Sequence, residues 1–509
     1  MAADRDAAAR AARPSTWWPI GAILLVAAGL YLHGLDAESL WIDEHYSVYD
    51  ARHLRLSVRP LYFALLRVWM LFGDGEAWLR GLSVLFALGA VFLTWRLGRR
   101  LVDERTGWVA AAMLALSPLF VNHAQEVRMY ALSTFLGVGG TLVLTHVLER
   151  PTWGWVLGWA CLRLLVLLAT PLNATLLVPD GLLLLWKLRE RPRLLLRVAI
   201  GVVVAAALWL PVGWLLLRVT FPEFMAGWVA NLPKPGPREV AQALRNLTVL
   251  GDNVALWPQF DFLPPWLKTF YRYYVLLPMA LLGVALLRVR SAPRIGWVAA
   301  FALVPPAALL AISHATSSIF IPRYLLLCAP YLMILLAAGL LGVWRWRPVA
   351  GALAACVWAV AVCAGLWNYY TVRYHEDWRG VWHAIRAEEQ PGDVIALAIV
   401  YPRPLVAASY YWDGDAPVEV LDDFHARLHS RDEMGRAFAA RWHERLSRLD
   451  SRLWLVVFWG EHPIPAEQID GMVRRDVGDD VDVQGYPRFE SLNGSVFLYR
   501  VTPRPAPAP

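Results

Sequence analysis

Between residues 17 and 367 the sequence returns again and again to long, almost uninterrupted apolar runs. A helix that crosses the hydrocarbon core of a bilayer needs roughly 20 mainly apolar residues. This chain supplies such runs repeatedly, joined by short connectors rich in arginine. The composition agrees: 58% of residues are hydrophobic and 17% are charged, where an average soluble domain carries about 25% charge. The chain therefore reads as a mainly α, polytopic membrane protein. Beyond residue 371 no run is long enough to span. Two consecutive parts are expected, a membrane domain over 1–370 and a small soluble α/β domain over 371–509, whose tail TPRPAPAP reads as disordered.

A net charge of +7 would suggest nucleic acid in a soluble chain. Here the positive residues sit in short loops between apolar runs, so membrane topology accounts for them and no nucleic-acid partner is expected. Cytoplasmic loops are enriched in Lys and Arg. Arg5, Arg10 and Arg13 place the N-terminus inside. About eleven spans then follow, near 17–34, 78–97, 107–121, 129–148, 153–170, 173–187, 195–218, 271–287, 296–313, 324–343 and 348–367. This alternation puts the basic clusters at 96–105, 187–197, 288–294 and 345–347 on one side. It puts 35–77, 122–128, 219–269, 314–323 and the C-terminal domain on the other. The N-terminal apolar stretch reads as an uncleaved first span. Lys187, Lys234 and Lys268 are the only lysines; with the Ala-rich composition this points to a bacterial plasma membrane, with an external C-terminal domain. Cys161, Cys328, Cys356 and Cys363 lie in apolar runs and read as inert packing residues.

Four polar features fall on the external side. The first is SLWIDEHYSVYD at 39–50, with Asp43 and Glu44 adjacent. Carboxylates beside hydrocarbon are costly and are functional candidates; the alternatives are a solvated loop or a helix N-terminus that favours acid. The second is QEVRMY at 125–130. Glu126 and Tyr130 are four apart and would share a helix face, whereas Glu126 and Arg128 would not. The alternative there is an interfacial cap. The third is HATSSIFIPRYLLL at 314–327, where Arg323 opens a span on the side that disfavours it. Its planar fork suits an oxyanion, and snorkelling at a helix end is the alternative. His314 is a candidate contact beside it. The fourth is the loop 219–269, with Lys234, Arg238, Arg245, Lys268 and Trp228, Trp257 and Trp266. It could grip a head group or sugar, or lie on the surface as an amphipathic helix. Asn173-Ala-Thr has the form of a glycosylation sequon, but at a helical hairpin it reads as chance.

In the last part, residues 376–389 read as a helix, and DVIALAIVY, RLWLVVFWG (452–460) and GSVFLYRV (494–501) as strands. Such a domain could cover the active site, bind acceptor or act as a structural cap.

The early external WIDE segment, the RPLYF at 59–63, SPLFVNHAQEVRMYAL and the later RYLL together resemble the polytopic GT-C glycosyltransferases. The nearest group is glycosyltransferase family 39, the protein O-mannosyltransferases and the aminoarabinose transferase of lipid A. The resemblance implies a sugar donor on a polyprenyl phosphate and a lipid, glycan or protein acceptor, with chemistry on the external face. Asp43 matches the family's catalytic carboxylate, with Glu44 beside it. Glu126 matches the second acidic residue. Arg323 and Tyr324 match a segment near the donor phosphate, and Arg128, Tyr130, His314 and Tyr62 are expected to line the substrate. Arg59-Pro60-Leu61 stands where His-Pro-Pro is common, so no role carries over for that His. The domain inserted in a large loop of eukaryotic members is absent. A divalent metal could bridge phosphate and acids, but nothing in the sequence requires it. The competing reading is a transporter or flippase of lipid-linked sugars, which would place charge near mid-bilayer.

Overall fold

The computed structural model describes residues 17–55, 58–189, 192–226, 232–251, 265–372, 375–399, 404–420, 451–460, 471, 481–486, 489–490 and 494–503. The sequence features at Arg5, Arg10, Arg13, Trp228, Trp257 and the tail beyond Pro503 lie outside these residues. In chain order the helices are α1 (Trp18–Leu32), α2 (Ile42–Arg52), α3 (Pro60–Trp69), α4 (Glu76–Leu101), α5 (Glu104–Leu116), α6 (Pro118–Ala124), α7 (Tyr130–Glu149), α8 (Trp153–Ala169) and α9 (Leu177–Leu188). They continue with α10 (Pro192–Ala226), α11 (Pro237–Thr248), α12 (Pro265–Tyr274), α13 (Leu276–Leu287), α14 (Arg294–Ala315), α15 (Ala329–Trp346), α16 (Pro348–Thr371) and α17 (Trp378–Glu388). Short 3-10 turns at Pro171–Leu176 and Pro322–Cys328 lead into α9 and α15.

The chain forms two compact units. The first comprises Met1–His33, Ser57–Tyr62 and Gly81–Asn368; the second gathers Gly34–Leu56, Phe63–Arg80 and Tyr369–Pro509. The first is a bundle of apolar helices. Among the described residues six helices are long and apolar enough to cross a membrane, and the bent pair α5–α6 would make a seventh. The remaining intervals expected to span hold shorter apolar helices, α1, α8 and Leu195–Pro211, or, at 173–187, a 3-10 turn followed by the 12-residue α9. Of the eleven expected intervals, six or seven therefore reach spanning length and hydropathy among the described residues; α1, α8 and α9 are shorter than roughly 20 residues, whereas α10 runs over 35. The α5–α6 bend is 65°. It falls at Ser117-Pro118, because proline at the first helical position starts a new helix and cannot extend the old one.

One end of this bundle is laced by ion pairs. Arg100 and Arg294 both reach Glu149, at 2.8 and 3.2 Å. Arg345 meets Asp103 at 3.0 Å and Arg99 meets Glu104 at 2.6 Å. The C-terminal ends of α4, α7 and α15 and the N-terminal ends of α5 and α14 therefore meet, and the basic clusters near 96–105, 294 and 345–347 share one end. Each pair is partly exposed and contributes little alone; what they record is helix direction. A 20-residue helix is about 30 Å long, so the N-terminus of α7, at Tyr130, lies at the opposite end.

Backbone contact is close where α13 meets α15. A β-carbon on Gly339 would collide with the carbonyl group of Leu281, and backbone cannot turn aside as a side chain can. Gly339→Ala should therefore lower stability by about 1–3 kcal/mol, read as earlier thermal unfolding of the full-length protein in detergent. An unchanged melting temperature would contradict this packing.

In the second unit the sheet contains β1 (Val394–Ile399), β2 (Val418–Val420), β3 (Leu453–Gly460), β4 (Val481–Gly485), β5 (Phe489–Glu490) and β6 (Gly494–Pro503). The order is β2-β1-β3-β6-β4, with β5 also on β6. β1 runs parallel to β2 and β3; β6 runs antiparallel to β3 and β4. Side chains alternate across a strand, so Ile395 and Leu397 face one way, and Ala396 and Ala398 the other. The first face packs with Trp454, Val456 and Phe458 against Trp378, Trp382 and Ile385 of α17 and against Trp41 and Ile42. The second packs with Leu455, Val457, Phe497 and Tyr499. Burial on both faces explains why β1 and β3 read as continuous apolar runs.

Candidate functional site

The sequence places Asp43 and Glu44 side by side, and folding separates their surroundings. Both lie in the first turn of α2. Glu44 is fully buried. Its two oxygens accept from Arg80 Nε at 3.0 Å and Nη2 at 2.7 Å, and the Trp41 N–H donates to it at 3.2 Å. The remaining Arg80 donors serve the carbonyls of Leu35, Glu38 and Ser39. Glu44 is thus occupied by a two-pronged ion pair and a helix cap. Asp43, by contrast, is only partly buried, as are Tyr46 and Tyr49. Spacings of three place these three residues on one helix face. On the buried side His45 sits among Trp378, Tyr410 and Tyr411, with ring centroids 5.4–6.4 Å away. Burial first, and then the Arg80 charge, push its pKa down to about 3 against the pull of the Leu40 carbonyl, so the ring is neutral at physiological pH.

In the first unit, residues 125–129 are not helical; they form a bend between α6 and α7. The expectation that Glu126 and Tyr130 share a helix face is therefore corrected. The residues are joined another way. Asn122 Nδ2 donates to Glu126 Oε1 at 2.5 Å, and His123 Nδ1 lies 2.8 Å from Glu126 Oε2. The His123 ring is 4.6 Å from that of Tyr130, and Tyr130 is 6.5 Å from Tyr324. Glu126, Arg128, His123 and Asn122 are all buried. Gln125 fixes the bend by donating to the carbonyls of Leu30, Tyr31 and His33. Tyr62 is buried and lies 3.5 Å from Ser83 Oγ, which donates to the Arg128 carbonyl at 3.3 Å. Tyr62 thus supports the bend from behind.

Beside this bend lies a small cleft with a cavity volume of about 10 Å³, lined by Tyr130, Ser133, Thr170, Asn173, Arg323 and Tyr324 among others. Arg323 and Tyr324 open the 3-10 turn before α15, and the Arg323 guanidinium lies 5.8 Å from the Tyr324 ring. Asn173 is buried and donates to Ser133 Oγ and to the Val166 carbonyl. That burial rules out its sequon as a glycosylation acceptor. Ser133 and Asn173 are pocket residues the sequence reading missed; both sit in apolar helical runs, where a lone polar residue gives no distinct signal.

Two other expected contributors lie elsewhere. His314 is exposed near the end of α14 and does not line this pocket. The stretch 219–269 is not one loop, since α10 reaches Ala226, α11 spans Pro237–Thr248 and α12 begins at Pro265. Two of its cations cap helix ends: Lys234 donates to the carbonyls of Ser313 and Thr316, and Arg245 to those of Tyr271 and Arg272. Arg238 is exposed on α11.

One charged pair lies within apolar helices. Arg163 donates to both oxygens of Asp180, at 2.5 and 2.9 Å, to Thr141 Oγ1 at 2.8 Å and to the Gly137 carbonyl at 2.9 Å. Trp159 also donates to Asp180. A transporter's intramembrane charges mark a pathway; this pair is instead saturated and clamps α7, α8 and α9 together. Among the described residues no three His, Cys, Asp or Glu side chains gather as ligands for a metal ion.

Comparison with known proteins follows the same line. Residues 58–215 match the family model described as dolichyl-phosphate-mannose-protein mannosyltransferase. No curated protein matches the chain. Among solved structures, ArnT from Cupriavidus metallidurans in the apo state superposes with a TM-score of 0.55 at 14% identity, over 94% of this chain and 97% of that one. The same protein bound to undecaprenyl phosphate gives 0.54 at 15% identity, over 95% and 98%. The apo oligosaccharyltransferase of Archaeoglobus fulgidus gives 0.50 at 12% identity, over 87% and 69%. The chain has the GT-C fold that the motifs foreshadowed, and the match over 58–215 together with that fold supports a membrane glycosyltransferase.

Proposed function

We propose that the chain transfers a sugar from a polyprenyl-phosphate carrier to an acceptor hydroxyl on the external face of a bacterial plasma membrane, with inversion at the anomeric carbon. The cytoplasmic N-terminus, the external C-terminal part, and their division near residue 370 belong to this proposal. The observation that carries it is the pocket of Arg323, Tyr130, Tyr324, Ser133 and Asn173, at the end of the bundle opposite the ion-paired arginines. The planar fork of an arginine suits an oxyanion, hydroxyl and amide groups line the same pocket, and a fold relative was solved with undecaprenyl phosphate bound.

The chemistry needs a proton acceptor and a stabilised leaving group. Asp43, on the partly exposed face of α2, takes the proton of the acceptor hydroxyl. The acceptor oxygen forms its bond to the anomeric carbon as the bond to the phosphate oxygen breaks, and the electron pair leaves on the polyprenyl phosphate. Arg323 meets that developing charge, which is where a fixed cation acts most strongly. Glu126, held by Asn122 and His123, orients sugar or acceptor together with Arg128. Glu44 is assigned to holding α2 rather than to the reaction. The acceptor is a lipid, glycan or protein, and no step requires a metal.

Arg323→Gln should weaken binding of undecaprenyl phosphate to the purified protein by roughly 10- to 100-fold, since a hydrogen bond to a charged group contributes about 1.5–3 kcal/mol. Unchanged affinity in direct binding would remove the phosphate site from this pocket.

A further inference from the structure

The second unit contains a cavity to which neither the motifs nor the family resemblance points. Its volume is about 150 Å³, and Glu38, Ser39, His375, Asp377, Arg379 and His383 are among its lining. All six belong to the second unit. A water needs roughly 10–15 Å³ on this measure, so there is room for about ten water-sized groups, enough for one pyranose ring with its hydroxyls.

The walls are fastened to one another. Ser39 Oγ donates to the Glu376 carbonyl at 2.6 Å and accepts from the Trp378 N–H at 3.1 Å, which joins the approach to α2 to the start of α17. His375 is buried; its ring stacks on Trp41 with centroids 5.3 Å apart, and its Nδ1 lies 2.6 Å from Glu38 Oε2. Arg379 donates to Glu76 Oε2 at 3.0 Å and to the carbonyls of Asp36 and Ala37. Asp377 accepts from the Gly380 N–H at 2.9 Å. His383 is exposed and follows Arg379 by four residues, so the two share a face of α17. Side chains held in this way lose little freedom when a ligand arrives.

The chemistry of the lining selects among ligands. Glu38 and Asp377 only accept hydrogen bonds when ionised, Arg379 only donates, and the two imidazoles do either. An oxyanion only accepts, and two carboxylates repel it. A cation meets Arg379, and among the described residues no three His, Cys, Asp or Glu side chains gather as metal ligands. A hydroxyl donates and accepts at once, and the several hydroxyls of a sugar ring use both kinds of partner.

We propose that this cavity is a sugar-binding subsite and that the sugar it holds belongs to the acceptor, which is then a glycan. Ser39 precedes Asp43 by four residues, and a chain advances at most about 3.6 Å per residue, so the cavity wall and the proposed base lie within about 14 Å of each other. The base must meet the acceptor oxygen, and a grip on the base's own segment brings it there. The assignment to the acceptor rests on the proposed transfer with Asp43 as base; the sugar site itself does not.

Saturation-transfer NMR on the full-length protein in a sugar-free detergent tests the site without any reaction. The probes are the methyl glycosides of mannose, galactose, glucose and N-acetylglucosamine. At least one should bind; His383→Ala should weaken it about five-fold and Glu38→Gln about ten-fold. His383 is exposed, so its variant stands if Glu38→Gln fails to fold. No glycoside bound, binding unchanged by His383→Ala, or displacement of the glycoside by inorganic phosphate overturns the sugar site. In transfer from polyprenyl-phosphate mannose to an envelope-extract glycan, His383→Ala should raise KM for the acceptor about five-fold and leave kcat unchanged. A raised KM for the donor instead, or transfer to a peptide that the bound glycoside does not inhibit, overturns the assignment to the acceptor. A wild type that binds glycosides but transfers no sugar defeats the transfer reading and leaves the sugar site standing.

Discussion

Arg80→Met should destabilise the second unit by about 3–5 kcal/mol, because it strands Glu44 as an uncompensated buried charge. Arg80 and Glu44 are 4% and 0% exposed, so the carboxylate is left in the protein interior without its counter-charge. The same substitution also removes the donors to the carbonyls of Leu35, Glu38 and Ser39, so the segment leading into α2 loses its fastening. The double variant Arg80→Met/Glu44→Met should recover much of the loss, since an apolar pair of similar volume often replaces a buried ion pair at little cost. Chemical denaturation of the three proteins measures both effects. A single variant as stable as wild type, or a double variant no better than the single, would contradict a structural role for Glu44.

That pair also shows where the sequence stops being informative. Asp43 and Glu44 are adjacent acids and look equivalent along the chain. What separates them is Arg80, distant in sequence, and the direction in which the first turn of α2 faces. The apolar helices were legible because a bilayer imposes a length and a composition on every crossing. The C-terminal helix and strands were legible for a similar reason: β1 and β3 are buried on both faces and so are apolar throughout. The joining of 34–56 and 63–80 to the unit that holds the sheet was not legible, because it depends on long-range contacts such as Trp41 on Trp378 that leave no periodic trace. Residues 122–128 were legible as a connector between spans, but the shape of the bend at 125–129 was not. Nothing in QEVRMY breaks a helix by composition, and the break is enforced by Gln125 reaching the carbonyls at the end of α1. HEDW reads as a helix start, and Asp377 does cap α17 by accepting from the Gly380 N–H.

The proposed reaction depends on Asp43. Asp43→Asn keeps the size of the side chain and the partly exposed face of α2, but the amide cannot take the acceptor's proton. General base catalysis contributes roughly 10²- to 10⁴-fold, so the turnover number should fall by that factor. Donor binding, assigned to the Arg323 pocket, should be nearly unchanged, and the loss should appear in kcat rather than in KM. Glu44→Gln would act differently, through folding, and its defect should track the fraction of protein that unfolds. The most direct measurement is transfer of labelled sugar from a polyprenyl-phosphate donor to an envelope-extract acceptor by the purified, lipid-reconstituted protein, run side by side with Asp43→Asn. Transfer by the wild type with a loss of at least roughly 100-fold in the variant, at equal binding of undecaprenyl phosphate, is the predicted result; undiminished transfer by Asp43→Asn would contradict it.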